Sequence, residues 1–121
     1  AHRFTAELRR SFKDINQVKG IYSSIRMTYT MRQFRAPEVY PFEAVREFGN
    51  AADLPPAFDF AEAPDGYLLF GASAGMRLGN SSLSLEVENA LNTAYRDYTN
   101  RFRYFADEQG INFVIRFQYR F

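Results

Sequence analysis

The chain has 121 residues, a formal net charge of +1 and no cysteine. A charge this close to neutral gives no bulk attraction to nucleic acid, and the lack of cysteine excludes a disulfide framework and thiolate metal sites. No apolar run approaches the roughly 18 residues that a transmembrane helix needs. Aromatic residues nevertheless make up 17% of the chain, and all of them are Phe or Tyr.

Alternation of apolar and polar residues in five segments predicts five β-strands. In an extended chain successive side chains point to opposite faces, so a period of two indicates a strand with one apolar face. In chain order, we predict strands near residues 2–12, 20–34, 66–79, 82–92 and 110–121. The last segment alternates most regularly, with Ile111, Phe113, Ile115, Phe117, Tyr119 and Phe121 on one face and Asn112, Val114, Arg116, Gln118 and Arg120 on the other.

The predicted connections are alternately short and long. A brief segment separates the first two strands, and Gly79-Asn80-Ser81 has the composition of a tight turn. Long loops are predicted at 35–65 and at 93–109. The first of these loops holds all five prolines. Short turns on one side and long loops on the other are typical of outer-membrane barrels. We therefore predict an all-β fold, an antiparallel transmembrane β-barrel.

A soluble β-sandwich or meander also has alternating strands and is the alternative from another class of protein. The apolar positions here carry large side chains with almost no charge, whereas the opposite positions carry Arg, Glu, Ser, Thr and Gly. The pattern also continues to Phe121. Both features favour a strand that has lipid on one side.

Several segments resemble the end of the barrel in TonB-dependent outer-membrane receptors. The run from Val87 to Tyr98, which contains Asn89 and Asn92, is similar to the penultimate-strand signature of that family. The following Asn100 to Glu108 resembles the form common in Bacteroidetes-type members. Gly110 to Phe121 is similar to the last strand, and Pro64 to Leu69 to the entry of the third-from-last strand. Glu108-Gln109-Gly110-Ile111 departs from the family, where Pro-Gly-Arg-Asn is frequent.

This resemblance implies a barrel of about 22 strands in the bacterial outer membrane, occluded by an N-terminal plug. Such receptors import a scarce ligand, such as an iron chelate (siderophore), haem, cobalamin or a glycan, with energy from the TonB complex. The implied partners are lipid, the barrel-assembly machinery, TonB, the plug, the remaining strands and a surface lipoprotein. Five strands cannot close a barrel, so we expect them to be the last five strands of a larger one, with the plug outside residues 1–121. A passive porin without a plug is the alternative within the membrane class.

The final strand has two compatible roles in this interpretation. Its apolar side chains contact lipid and contribute to an aromatic girdle at the membrane interface. The resemblance also marks terminal aromatic residues at two-residue spacing as the signal for barrel assembly, because a free strand edge can be recognised by strand addition. The signal residues are Phe113, Phe117, Tyr119 and Phe121.

A set of charged residues at the polar positions is predicted to face the barrel lumen. Its members are Arg26, Arg32, Arg77, Glu86, Glu88, Arg116 and Arg120. They can line a substrate path, or they can form cross-strand pairs along the wall and hydrogen bonds to the plug. The second role is favoured because a barrel wall needs such partners whatever its cargo.

The remaining polar groups do not suggest an enzyme. Carboxylates are frequent in the first long loop, including Asp59, but no base, nucleophile or metal set accompanies them. They are suited either to ligand contact or to an ordinary surface loop. The aromatic and basic residues between Tyr95 and Phe105 favour an outer girdle and a folded loop base over nucleic-acid binding. We expect no cofactor, no metal and no ligand-binding residue that the sequence alone can identify.

Overall fold

The chain forms an antiparallel five-stranded sheet with two long loops at one end. The computed structural model describes residues 2–49 and 53–121, so residue 1 and residues 50–52 of the first long loop lie outside the described residues. About 47% of the described residues are in strands. The sheet is built from β1 (Arg3–Ser11), β2 (Val18–Thr30), β5 (Tyr67–Leu78), β6 (Ser81–Glu88) and β7 (Asn112–Tyr119), which pair in that order. The prediction of an all-β antiparallel fold is confirmed.

The strand ends differ from the predicted ranges for local reasons. β2 ends at Thr30 rather than near 34, although the Met31 amide still donates to the His2 carbonyl at 2.9 Å. β6 ends at Glu88 rather than at 92 because Asn89 has a φ of 49°, in the left-handed region that no regular strand contains. Asn tolerates this region better than most residues, since its side chain can hydrogen-bond locally.

The short connections lie at the end of the sheet opposite the long loops. Gly79 has a φ of 56° in the turn from β5 to β6, where glycine lacks the Cβ that makes such a backbone costly. Asn16 in the turn from β1 to β2 and Gly20 near the start of β2 are also at positive φ. The register of β2 against β5 shifts between Lys19 and Tyr22.

The first long loop, between β2 and β5, is more structured than predicted. It contains a short parallel pair, β3 (Glu38–Val39) with β4 (Phe58–Asp59), and the helix α1 (Phe42–Glu47). Aromatic rings hold these pieces together, and the Phe42 and Phe60 rings stack at 4.3 Å. The second long loop, between β6 and β7, contains a 3₁₀ turn at Arg101–Tyr104.

The register divides the sheet into an apolar face and a polar face. Directly opposed residues share a face, and pairs such as Met27 with Phe70 and Leu85 with Ile115 define the apolar one. Its large side chains are mostly exposed: Phe4 61%, Leu8 76%, Ile25 59%, Phe113 67%, Ile115 71% and Phe117 67%. Of the apolar residues that the structure describes, only Ala63 and Tyr67 are buried. No second layer therefore covers the apolar face in the described part of the chain.

Candidate functional site

The candidate site is the polar face of the sheet together with the two long loops at its end. Four of the charged residues predicted for this face have partners on neighbouring strands. Arg26 donates to Glu7 at 3.1 Å from the directly opposite position, and Arg116 donates to Glu86 at 2.9 Å. Glu88 accepts from the Asn112 amide at 3.1 Å. These pairs are partly exposed, so each contributes at most about 1 kcal/mol. They link adjacent strands, which is the role that the sequence favoured.

Hydroxyl groups complete the middle of the polar face. The Ser24 and Ser73 hydroxyls lie 2.7 Å apart across β2 and β5, and those of Thr5 and Thr28 lie 3.3 Å apart across β1 and β2. Ser24 is buried, so its hydroxyl needs this partner. The middle of the face is therefore internally hydrogen-bonded.

Arg32 does not belong to the polar face of a strand as predicted. It lies beyond the end of β2, because the backbone hydrogen bonds between β1 and β2 stop at Met31, the first residue after Thr30. Its guanidinium donates to Glu62 at 3.0 Å and to Asp65 at 3.3 Å, both exposed carboxylates of the first long loop. Arg32 thus ties that loop to the end of β2.

Arg77 and Arg120 lie at the opposite end, near the short turns. Arg77 is directly opposite Lys19. Arg120 comes one residue after β7, and its amide donates to the Asn80 carbonyl at 3.0 Å. Among the described residues, neither Arg77 nor Arg120 has a carboxylate within 4.0 Å. The charges of these two residues are consequently not neutralised by a carboxylate of the described sheet.

The second long loop folds over the polar face at the other end. The Tyr95 ring lies 4.4 Å from the Tyr67 ring of β5. Asp97 accepts from Arg3 of β1 at 2.8 Å and from the Tyr67 hydroxyl at 3.0 Å. Burial alone would raise the pKa of the Asp97 carboxyl, but hydrogen bonds from Thr99 and Tyr67 hold that pKa below its usual value. Tyr95 therefore lies on the polar face, not in the outer girdle that the sequence suggested.

The two asparagines of the Asn-x-x-Asn segment hold the base of this loop. The Asn89 amide group forms two hydrogen bonds with the backbone of Thr93, at 2.8 and 2.9 Å. Asn92 accepts from the Ile111 amide at 3.0 Å. A Cβ at Gly110 would lie 2.5 Å from the Asn92 side-chain oxygen, so a larger residue there would displace the Asn92 side chain. The segment on which the resemblance rests thus has a structural role in joining β6 to β7.

A buried ionic cluster joins the two long loops. Arg103 of the second loop forms a salt bridge with Asp59 of the first loop, and the Tyr104 hydroxyl donates to the same carboxylate. Arg103 also donates to the Glu62 carbonyl at 3.2 Å, and its guanidinium lies 4.7 Å from the Tyr98 ring. We call Asp59, Arg103 and Tyr104 the Asp59 cluster.

Electrostatics in the Asp59 cluster favour the ionised carboxylate. Burial opposes ionisation, but the Tyr104 hydrogen bond and the charge of Arg103 hold the pKa of Asp59 below its usual value. Burial and the bond to Asp59 raise the pKa of Tyr104. Asp59 is therefore a buried structural group and not an exposed ligand contact. Sequence reasoning missed this because Asp59 and Arg103 are 44 residues apart.

The four residues of the predicted assembly signal lie on or next to β7. Phe113, Phe117 and Tyr119 are on the apolar face and are 67%, 67% and 52% exposed. Phe121 follows the end of the strand, and its ring lies 5.2 Å from that of Tyr119 in an edge arrangement. This placement is compatible with both roles that the sequence suggested, and the signal role stays a prediction.

Comparison with protein-family models, with curated proteins and with solved structures finds no match. The resemblance to TonB-dependent receptors therefore stays a prediction. In the described residues, no helix is long and apolar enough to span a membrane. The described His, Asp and Glu residues also form no group of three or more that is suited to a metal ion.

Proposed function

We propose that this chain is part of the barrel wall of a TonB-dependent outer-membrane transporter that imports a scarce ligand. The observation that carries the proposal is the exposed apolar face of the five-stranded sheet. Large aliphatic and aromatic side chains from all five strands cover that face, and most are between 40% and 76% exposed. A contiguous apolar surface of this extent is rare on a soluble monomer and is suited to hydrocarbon.

The opposite face supports the same proposal. In the middle of that face, Arg26 and Arg116 are paired with carboxylates of neighbouring strands and hydroxyl groups are bonded to one another, as suits a wall with water or a polar plug on its inner side. A soluble β-sandwich would need a second sheet against the apolar face. The only other sheet in the described residues is the two-residue pairing of β3 with β4.

The free sheet edges also fit a larger barrel. β1 pairs only with β2, and β7 pairs only with β6, within the described residues. In hydrocarbon such edges would leave backbone groups unsatisfied, so neighbouring strands of a closed barrel are the partners that we propose for them. The second long loop, folded over the polar face, would then narrow the lumen of that barrel.

Fractionation of cells that express the full-length protein tests the membrane part of the proposal. We expect the protein in the outer-membrane fraction after an alkaline carbonate wash, and release only by detergent. Recovery in the soluble fraction would refute the proposal and favour the β-sandwich alternative.

Conductance and crosslinking test the transporter part. In planar bilayers, a transporter that contains a plug should stay closed, and the full-length protein should crosslink to TonB in energised cells. Steady open channels without a TonB crosslink would instead identify a passive porin. Either result leaves the membrane assignment intact, so the two parts of the proposal fail separately.

A further inference from the structure

A group of cations without carboxylate partners lies on the polar face near the short turns. We call Arg9, Lys19, Arg77 and Arg120 the basic patch; strand alternation and register place all four on that face. In the part of the chain that the structure describes, none of them has a carboxylate within 4.0 Å. The other arginines of this face, Arg3, Arg26 and Arg116, are each paired with a carboxylate. The basic patch is therefore the part of the polar face whose charge is not balanced.

Two of these cations directly oppose each other. Lys19 and Arg77 are register partners on β2 and β5. Like charges at directly opposed positions destabilise a sheet, and an anion bound between them would offset that cost. This pair is therefore a second observation, independent of the missing carboxylates, that points to a bound anion.

Arg9 is held in place by an aromatic ring. The Tyr22 ring packs onto Gly75, where a Cβ would lie only 2.5 Å from a ring carbon. The Arg9 guanidinium lies over the same ring, 4.2 Å from its centroid. Stacking occupies the flat face of the guanidinium and leaves its N–H edge free for a carboxylate or phosphate. Gly75 and Tyr22 thus orient a cation that has no acceptor in the described chain.

An open depression of about 450 Å³ lies next to two cations of the basic patch, Arg9 and Arg77. Arg9, Arg77 and Arg116 line it together with Tyr22, Ser82 and Ser84. The two arginines without a carboxylate partner, Arg9 and Arg77, come from β1 and β5, which lie roughly 10 Å apart because β2 separates them. Cations spread in this way suit a ligand with two or more anionic groups better than a single carboxylate.

We propose that this depression binds a small multivalent anion through its carboxylate or phosphate groups. Arg9 and Arg77 contact the anionic groups, and Ser82 and Ser84 add hydroxyl donors. A lipid headgroup is disfavoured because the cations are on the face opposite the apolar side chains. The inference uses only the geometry of the polar face, so it stands or falls separately from the membrane assignment.

Calorimetric titration of the full-length protein in detergent tests the proposal, with pyrophosphate and citrate as probes. We expect saturable binding of at least one probe at low ionic strength, weakened by added salt because the patch is exposed. Arg9→Gln and Arg77→Gln should each weaken binding about fivefold, the upper range for one exposed charge pair. Gly75→Ala should also weaken binding, because it displaces Tyr22 without changing the charge.

Arg46→Gln is the matched control, since Arg46 is an exposed arginine of α1 in the first long loop. It removes the same charge and should leave binding unchanged. Equal losses in Arg46→Gln and Arg9→Gln would overturn the proposal, because they would reflect net charge alone. Absence of saturable binding would also overturn it, as would clear preference for hexaglutamate, which would identify an acidic polypeptide as the occupant.

Discussion

The sheet and its two long loops are stabilised in different ways. The position of each strand in the sheet can be predicted from the alternation of apolar and polar residues within that strand. The apolar side chains of the strand remain exposed on one face of the sheet. The loops instead depend on contacts between residues far apart in sequence, above all the buried pair of Asp59 and Arg103. Strand positions are thus a local property of the chain, whereas loop structure is a tertiary one. Each of the following predictions concerns contacts in one of these two regions.

The largest effect is expected from Arg103→Met. It leaves the Asp59 carboxylate buried without its cation, which costs about 3–5 kcal/mol for a buried pair. Hydrogen exchange in both long loops should accelerate together, while exchange in the five strands should not change. Arg101→Met is the control, because Arg101 is an exposed arginine of the same 3₁₀ turn and lies outside the Asp59 cluster. Faster exchange in the second loop alone would show that the Asp59 cluster does not join the loops.

The next effect concerns the two faces of β7. Ile115→Arg places a charge on the apolar face and should cost about 2–4 kcal/mol if that face contacts the bilayer centre. Val114→Arg makes the same kind of change one residue earlier on the polar face, opposite Glu86. Immunoblots of outer membranes should show depletion of the full-length Ile115→Arg protein and near-normal levels of Val114→Arg. Equal depletion would contradict the division of faces.

A smaller effect is expected at the base of the second loop. Gly110→Ala should disrupt the hydrogen bond from the Ile111 amide to Asn92, at a cost of about 1 kcal/mol. In an Asn92→Ala background the same substitution should cost nothing further, since the oxygen that it clashes with is gone. Urea unfolding of the four proteins measures this coupling, and additive costs would exclude the contact.

The smallest effect is a pH dependence of the docking of the second loop onto the sheet. Because the native pKa of Asp97 is lowered, its stabilising contribution is present above the ordinary Asp value of 3.8 and is lost as pH falls through the native pKa. Hydrogen exchange in residues 93–99 should therefore accelerate, relative to the strands, below pH 3.8. Asp97→Asn should show this faster exchange already at neutral pH. The free energy of local opening should fall by less than about 1 kcal/mol. A mutant indistinguishable from wild type at neutral pH would exclude this contribution.

The sheet could be predicted from the sequence much more completely than the two long loops. Alternation around Ile115 and Ile25 was sufficient to place strands and faces, because period two is visible within a few residues. The early end of β6 depends on the backbone angle of Asn89, and the position of Arg32 depends on where the ladder of β2 stops. The Asp59 cluster depends on a pairing across 44 residues that no local pattern records.

Lipid contact of the apolar face is the central claim, and a spin-label scan along β7 tests it most directly. Single nitroxide labels at positions 112 to 119 of the full-length protein in liposomes report collision with oxygen and with a water-soluble nickel chelate. We expect oxygen access to peak at positions 113, 115 and 117 and nickel access to peak at positions 114, 116 and 118. Higher nickel than oxygen access at position 115 would place that side chain in water and contradict the claim.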